Sequence, residues 1–299
     1  MKKTILIFLI AFSSITICNA QEWFTSFDVA KRLALVQDKM LLVMWQNTLD
    51  YPYPVTLKGE KGVSIVVDLN ENDEVNSLIW QHFVPVILLE SNYDEFYNKA
   101  KKNRSTWYLD KLKDDSIKIM DANGNILNVE PEDVQMENLT LLIKKYALNT
   151  SFLKHELNNY SKEQNVTTAF NLGSKYLDYS IYVQKNVRSE IIRLVDIYFN
   201  EAKEYLEEST INNKLGFLQR LDFLDIEKAL ILNNPGKARR LLKKIDVAEI
   251  DSTNLSLYNF LNYTTFKLLK KEDDAALFKD KLSTVDLKKA ELIVDSSGS

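Results

Sequence analysis

Few residues in this chain could do covalent chemistry. Of 299 residues one is cysteine, Cys18, and two are histidines, His82 and His155. A dithiol–disulfide couple needs two thiols within reach of each other, so no such couple can form within the chain. A hydrolytic triad needs one imidazole beside a serine and a carboxylate, and no G-x-S-x-G nucleophile elbow occurs. His82 falls at the end of a helical pattern, just before an apolar run, where capping or packing is the ordinary role. Zinc would need a better ligand set than two distant histidines. "DLNENDE" (68–74) spaces Asp68, Asn70 and Asn72 like the start of a calcium loop. However, Asp73 stands where such a loop needs glycine, and its closing glutamate is absent. That stretch reads as a solvated loop and helix cap. No metal and no cofactor are expected.

Recognition chemistry is better represented. "VMWQNTLDYPYPVTL" (43–57) begins as an apolar strand and breaks into a loop with two prolines and two tyrosines. Trp45, Asp50, Tyr51 and Tyr53 could line a peptide groove, because Tyr and Trp supply rigid contact area with a polar tip. The alternative is a proline-stiffened loop packed on its own strand. A second functional reading is a thiol-independent hydrolase using Asp50 or His82, which requires the two to converge in one pocket.

The elements that position these residues follow an export signal expected at residues 1–20. Lys2 and Lys3 precede the apolar run "TILIFLIAFSSITI", and "CNA" places small residues before Gln21. The run is short for a membrane span, and Ile17 stands where a lipoprotein cysteine needs a small neighbour. Cleavage after Ala20 would leave 279 of the 299 residues, none of them cysteine. The segment removed holds two of the 38 basic residues and no acid, so 36 basic would face 42 acidic residues, a formal charge of −6. That balance disfavours nucleic acid and anionic membranes as partners. The basic stretches "KAKKNR" and "KARRLLKK" lie on helical patterns and read as solvated faces. The expected product is exported, periplasmic or secreted, without an integral membrane span after cleavage. Its expected partner is a protein or peptide.

From Gln21 to Val134, helix and strand signals alternate. "SFDVAKRLALVQDK" (26–39) has helical spacing, and "MLLVMW" (40–45) is a strand covered on both faces. "VSIVVDL" (63–69) reads the same way. "ENDEVNSLIWQH" (71–82) is a helix with acids in its first turn. "FVPVILLE" (83–90) is a strand whose Pro85 argues for its start or a sheet edge. "NYDEFYNKAKKNRSTWYLDKLK" is helical, and "SIKIMDANGNILNV" (116–129) is a hairpin with Asn123-Gly124 at the turn. Together they predict a mixed sheet with helices on both faces. From Met136 onward eight helical stretches follow one another, with Asn234 and Pro235 opening one of them. They predict stacked helical hairpins. Ala169, Leu172, Gly173 and Tyr176 fit a tetratricopeptide first helix, and Ala238, Leu242 and Ile245 a second. Phe260, Tyr263, Thr264 and Ala276 fit a third loosely. Their separations are not constant, so a generic helical-hairpin array and degenerate repeats both stand.

The mixed half resembles the thioredoxin-like proteins, especially the exported bacterial type. "WFTSFDVAKRLALVQDKMLLVMW" looks like the opening of that family, "NDEVNSLIWQHFVPVILLE" like its middle and "SIKIMDANGNILN" like its closing hairpin. The resemblance covers about a third of the chain. It implies a thioredoxin-like sandwich and a groove for extended peptide. Two departures follow. "NTLDYPYP" replaces the family's Cys-x-x-Cys, and Ser116 stands where its cis-proline would be. Residues 55–69 also fit poorly, which implies that the helix after the site is short or replaced. The expected organisation is a signal at 1–20, an α/β thioredoxin-like domain at 21–134, an all-α region at 135–294 and a flexible tail at 295–299.

Overall fold

"MLLVMW" forms strand β1 (Met40–Trp45), buried along its whole length. The computed structural model describes residues 22–59, 62–130 and 136–298; the export signal expected at residues 1–20 lies outside the described residues. Helix α1 (Phe27–Gln37) leads into β1 and buries Ala30, Ala34 and Leu35. It ends at Asp38, whose φ of 55° is the left-handed turn that lets Lys39 N–H reach Ala34 C=O at 3.1 Å. Asn233 and Lys270 stop two later helices in the same conformation.

β1 is followed by a single turn, α2 (Gln46–Leu49), and then by a hairpin, β2 (Pro54–Lys58) and β3 (Ser64–Asp68). This hairpin forms its own two-stranded sheet and occupies the stretch that fitted poorly in sequence. The expectation that "VSIVVDL" is covered on both faces is wrong: Val63, Ile65 and Val66 are all exposed. A β-branched run signals a strand but does not say what packs on it.

Asn72 caps α3 (Asp73–His82), accepting from Glu74 N–H and Val75 N–H at 3.0 Å each. Then β4 (Phe83–Leu88) runs parallel to β1, from Met40↔Phe83 to Trp45↔Leu88. Pro85 is tolerated because β4 is the edge of the three-stranded sheet, met beyond only by the bridge Phe24↔Val86. The charged helical stretch divides into α4 (Tyr93–Ala100) and α5 (Thr106–Lys113). Strand β5 (Lys118–Met120) pairs antiparallel with the other edge of β1, and Met120 bridges Ile126 across the expected turn. Gly124 takes φ 90°, and a Cβ there would lie 2.9 Å from the Phe27 ring. The order across the sheet is thus Phe24, β4, β1, β5, Ile126.

Nine α-helices follow among the described residues: α6 (Leu139–Tyr146), α7 (Lys154–Lys162), α8 (Val166–Tyr182), α9 (Lys185–Glu208), α10 (Lys214–Ile231), α11 (Pro235–Leu242), α12 (Leu255–Leu268), α13 (Glu272–Lys279) and α14 (Thr284–Gly298). The ninth, α14, is one more than the sequence pattern indicates, and it continues through Gly298, past residue 295 where a tail is expected. Its buried Ala290 and Ile293 explain why, as does Lys289, which pairs at 2.6 Å with both Asp178 of α8 and Glu227 of α10. Helices α8 and α9 approach closely at Gly173, where a Cβ would lie 2.6 Å from the Phe199 ring. Ala169, Leu172 and Tyr176 line the same buried face. Asn234 caps α11 at Lys237 N–H, with Pro235 in its first turn. Ala276 does not take its expected inward place, since it is exposed while Ala275 is buried. Lengths of 17, 24, 18, 8, 14 and 8 residues from α8 to α13 do not repeat.

The hairpin tip joins the two halves. Asp121 is fully buried. Its carboxylate accepts from the backbone N–H groups of Asn123 (3.0 Å) and Asn125 (2.9 Å), from the Tyr176 hydroxyl (3.3 Å) and from the Tyr198 hydroxyl. Tyr198 accepts in turn from the amides of Asn123 (3.2 Å) and Asn125 (3.1 Å). Beside them Arg104 donates to Glu201 at 2.6 Å and to Asn125 at 3.1 Å, and Tyr160 donates to the other Glu201 oxygen at 2.5 Å. Burial raises the Asp121 carboxyl above its ordinary value, with the hydrogen bonds pulling the other way.

Candidate functional site

The residues picked out in the 45–53 segment separate. Trp45 is buried, donates its indole N–H to Leu112 C=O at 2.8 Å and packs edge-on against Tyr93 and Phe96. It is a core residue at the end of β1. Asp50 is exposed at the end of α2, and Tyr51 is 74% exposed. Asp50 and His82 do not converge. His82 precedes the Met40↔Phe83 pair and Asp50 follows the Trp45↔Leu88 pair, so the length of β1, about 17 Å, lies between them.

Tyr53 and Ser116 do meet. Both line a cleft of about 900 Å³, with Trp107, Lys111 and Asp114 on one side and Leu141, Leu142 and Tyr146 on the other. Tyr53 is fixed by its N–H to Asp68 (2.9 Å) and by its C=O, which accepts from Leu69 N–H (2.9 Å). Burial and the neighbouring Glu137 carboxylate raise its phenol above the ordinary value. The opposite wall stays in place because Thr56 N–H donates to Glu137 C=O (2.9 Å) and Lys58 N–H to Thr140 (2.9 Å), tying α6 to β2.

At the cleft floor, Asp114 to Lys118 fold around one carboxylate. Asp114 accepts from Ser116 N–H (3.0 Å), from Ser116 Oγ (2.5 Å) and from Lys118 Nζ (3.2 Å). Lys118 is fully buried, and Nζ also donates to the carbonyls of Asp114 (2.6 Å) and Ser116 (2.9 Å), which uses all three donors. Burial pulls its pKa down to about 8, with Asp114 resisting. Lys111 Nζ donates to Ser116 Oγ at 2.5 Å. Ser116 therefore gives its proton to a carboxylate while an ammonium occupies a lone pair that a nucleophile needs. This is a held polar floor rather than an activated serine.

Two lining residues went unnoticed in sequence, Trp107 and Leu141, which are 55% and 58% exposed. One comes from α5 and the other from α6. Trp107 follows directly on the Ser105–Thr106 helix start, in a stretch otherwise full of charge, which was the available signal. Among the described residues no group of three His, Cys, Asp or Glu could hold a metal ion, and no helix is long and apolar enough to cross a membrane. Comparisons with protein-family models, curated proteins and solved structures find no match to this chain.

Proposed function

We propose that this chain is an exported, non-redox binding protein, in which a thioredoxin-like domain without thiols and a helical-hairpin array hold an extended protein or peptide segment. The observation that carries the reading is the cleft at Tyr53 and Ser116. Exposed Trp107 and Leu141 supply apolar anchors there, and the Lys111 ammonium, which spends one donor on Ser116, has donors left for a bound segment. Strand order and direction support the thioredoxin-like part: β1 runs parallel to β4 and antiparallel to β5, with a closing bridge at Ile126. The single cysteine of the chain supports the absence of dithiol chemistry. Export is supported by the pattern of residues 1–20.

The test is selection of displayed random peptides on the protein, followed by fluorescence anisotropy of the selected sequences. Trp107→Ala combined with Leu141→Glu should weaken binding by at least about tenfold, as for loss of central anchors. Peptides that bind the double variant as tightly as the parent would place recognition elsewhere. Reduction of insulin by the protein in the presence of dithiothreitol, above the rate with dithiothreitol alone, would overturn the non-redox part.

A further inference from the structure

Strand β3 is the most exposed apolar segment of the α/β half. Val63, Ile65 and Val66 are 64%, 50% and 62% exposed. Ile65 and Val66 are consecutive, so they point to opposite faces, and both are open at this end of the strand, whereas Val55 and Val67 on the Ile65 face pack on the core. One edge of β3 pairs with β2, and no strand pairs with the other among the described residues. Backbone directions follow from the pattern of bonds. Gly59 N–H donates to Val63 C=O, and Leu69 N–H donates to Tyr53 C=O, both at 2.9 Å. Thr56 N–H, opposite Val66, leaves the hairpin to bond Glu137. Antiparallel alternation then turns the N–H and C=O groups of Ser64, Val66 and Asp68 outward. Exposed edges are commonly blunted by lysine, proline or a bulge. Residues 63–67, "VSIVV", contain no lysine or proline.

We propose that this edge docks β3 of a second copy, antiparallel about a two-fold axis through Val66. The segment is self-complementary in that arrangement. Ile65 faces Val67 of the other copy and Ser64 faces Asp68, so apolar residues meet on both sides of the new ladder. Charge selects the direction. Lys58 stands beside Ser64 at one end of the hairpin, while Asp68 and the exposed Glu71 stand at the other. Antiparallel pairing brings the basic end of each copy to the acidic end of its mate, whereas a parallel ladder would put acid over acid. The product is a four-stranded sheet β2-β3-β3-β2, which relieves the weakness of an isolated hairpin. Five residues a side make a small interface, so the association is weak and depends on concentration.

Sedimentation equilibrium of the full chain at rising concentration tests this. Self-association should be seen in the parent. Val66→Lys places two ammonium groups face to face on the axis and should weaken association by about tenfold or more. Val66→Glu should do the same, and a 1:1 mixture of the two variants should restore pairing as a heterodimer, which a folding defect would not produce. A parent that stays monomeric throughout, dimerisation unaffected by either variant, or a mixture no better paired than its components would each overturn the proposal.

Discussion

Two polar clusters sit at opposite ends of β5, only a few residues apart, and they are built to different ends. At the far end Asp121 is sealed between the hairpin and helices α8 and α9, receiving donors from both halves of the chain. At the near end, Asp114, Ser116 and Lys118 bond to one another and to nearby Lys111, and all three donors of Lys118 go to its own five-residue loop. The first cluster joins distant segments and encloses Asp121 completely, while its rim of Arg104, Asn125 and Glu201 borders a cavity of about 450 Å³. The second faces an open cleft and keeps its floor rigid. A buried charge can therefore serve assembly or presentation, and the sequence distance of its partners tells which.

The largest effect expected on this comparison comes from Asp121→Ala. It leaves two tyrosine hydroxyls and two backbone N–H groups without their acceptor, at a cost of roughly 3 kcal/mol or more. Urea unfolding would measure it. Asp121→Asn should cost less and expose the linkage. The folded carboxyl titrates above its ordinary 3.8, so its contribution is fully present below that value and is lost as pH rises through the folded value. The Asn variant should lack that decline. A stability curve with the same pH profile as the parent would show that Asp121 is not the strained member of the lock.

Next comes Lys118. Its amine titrates near 8 when folded and near 10.5 when unfolded. The unfolded state thus binds more protons between those values, and stability should rise with pH across that window by on the order of 2–3 kcal/mol. Lys118→Met should abolish the rise, as read from urea midpoints at about pH 7.5 and about pH 11, on either side of the window. If the rise persists, another group carries it. The smallest effect belongs to Asp50→Ala and Tyr51→Ala in the exposed loop. Each should change stability by less than about 0.5 kcal/mol and leave selection of cleft-binding peptides unaltered. A marked loss of binding in either would move the recognition surface from the cleft to the loop.

The legible parts of this molecule are those where local pattern and burial agree. "MLLVMW" is a strand because a continuous apolar run of six fits a covered strand, and Asn234-Pro235 opens a helix by capping chemistry alone. Misreadings arise where tertiary partners decide. "VSIVVDL" reads as a covered strand in the same way as β1, yet its hairpin stands apart from the main sheet. "DANGN" reads as a hairpin turn at Asn123-Gly124, and nothing local reveals that Asp121 is buried. The available hint lay far away, in Tyr176 and Tyr198, two phenols on otherwise apolar helical faces that need a polar partner. Trp45 and Tyr51 show the same limit at the site: both look like groove residues, but one is core and the other is open surface.

The lock also sets a timetable for synthesis. Tyr176 and Tyr198 lie 55 and 77 residues beyond Asp121. At elongation rates of about 5–20 residues per second, the hairpin tip is made roughly 4–15 s before its last ligand. During that interval Asp121 must remain hydrated and ionised, and the sheet edge around it open. The α/β half is thus a waiting partner rather than an early-finished unit, and the helix bearing Tyr198 is what ends its exposure to chaperones and proteases.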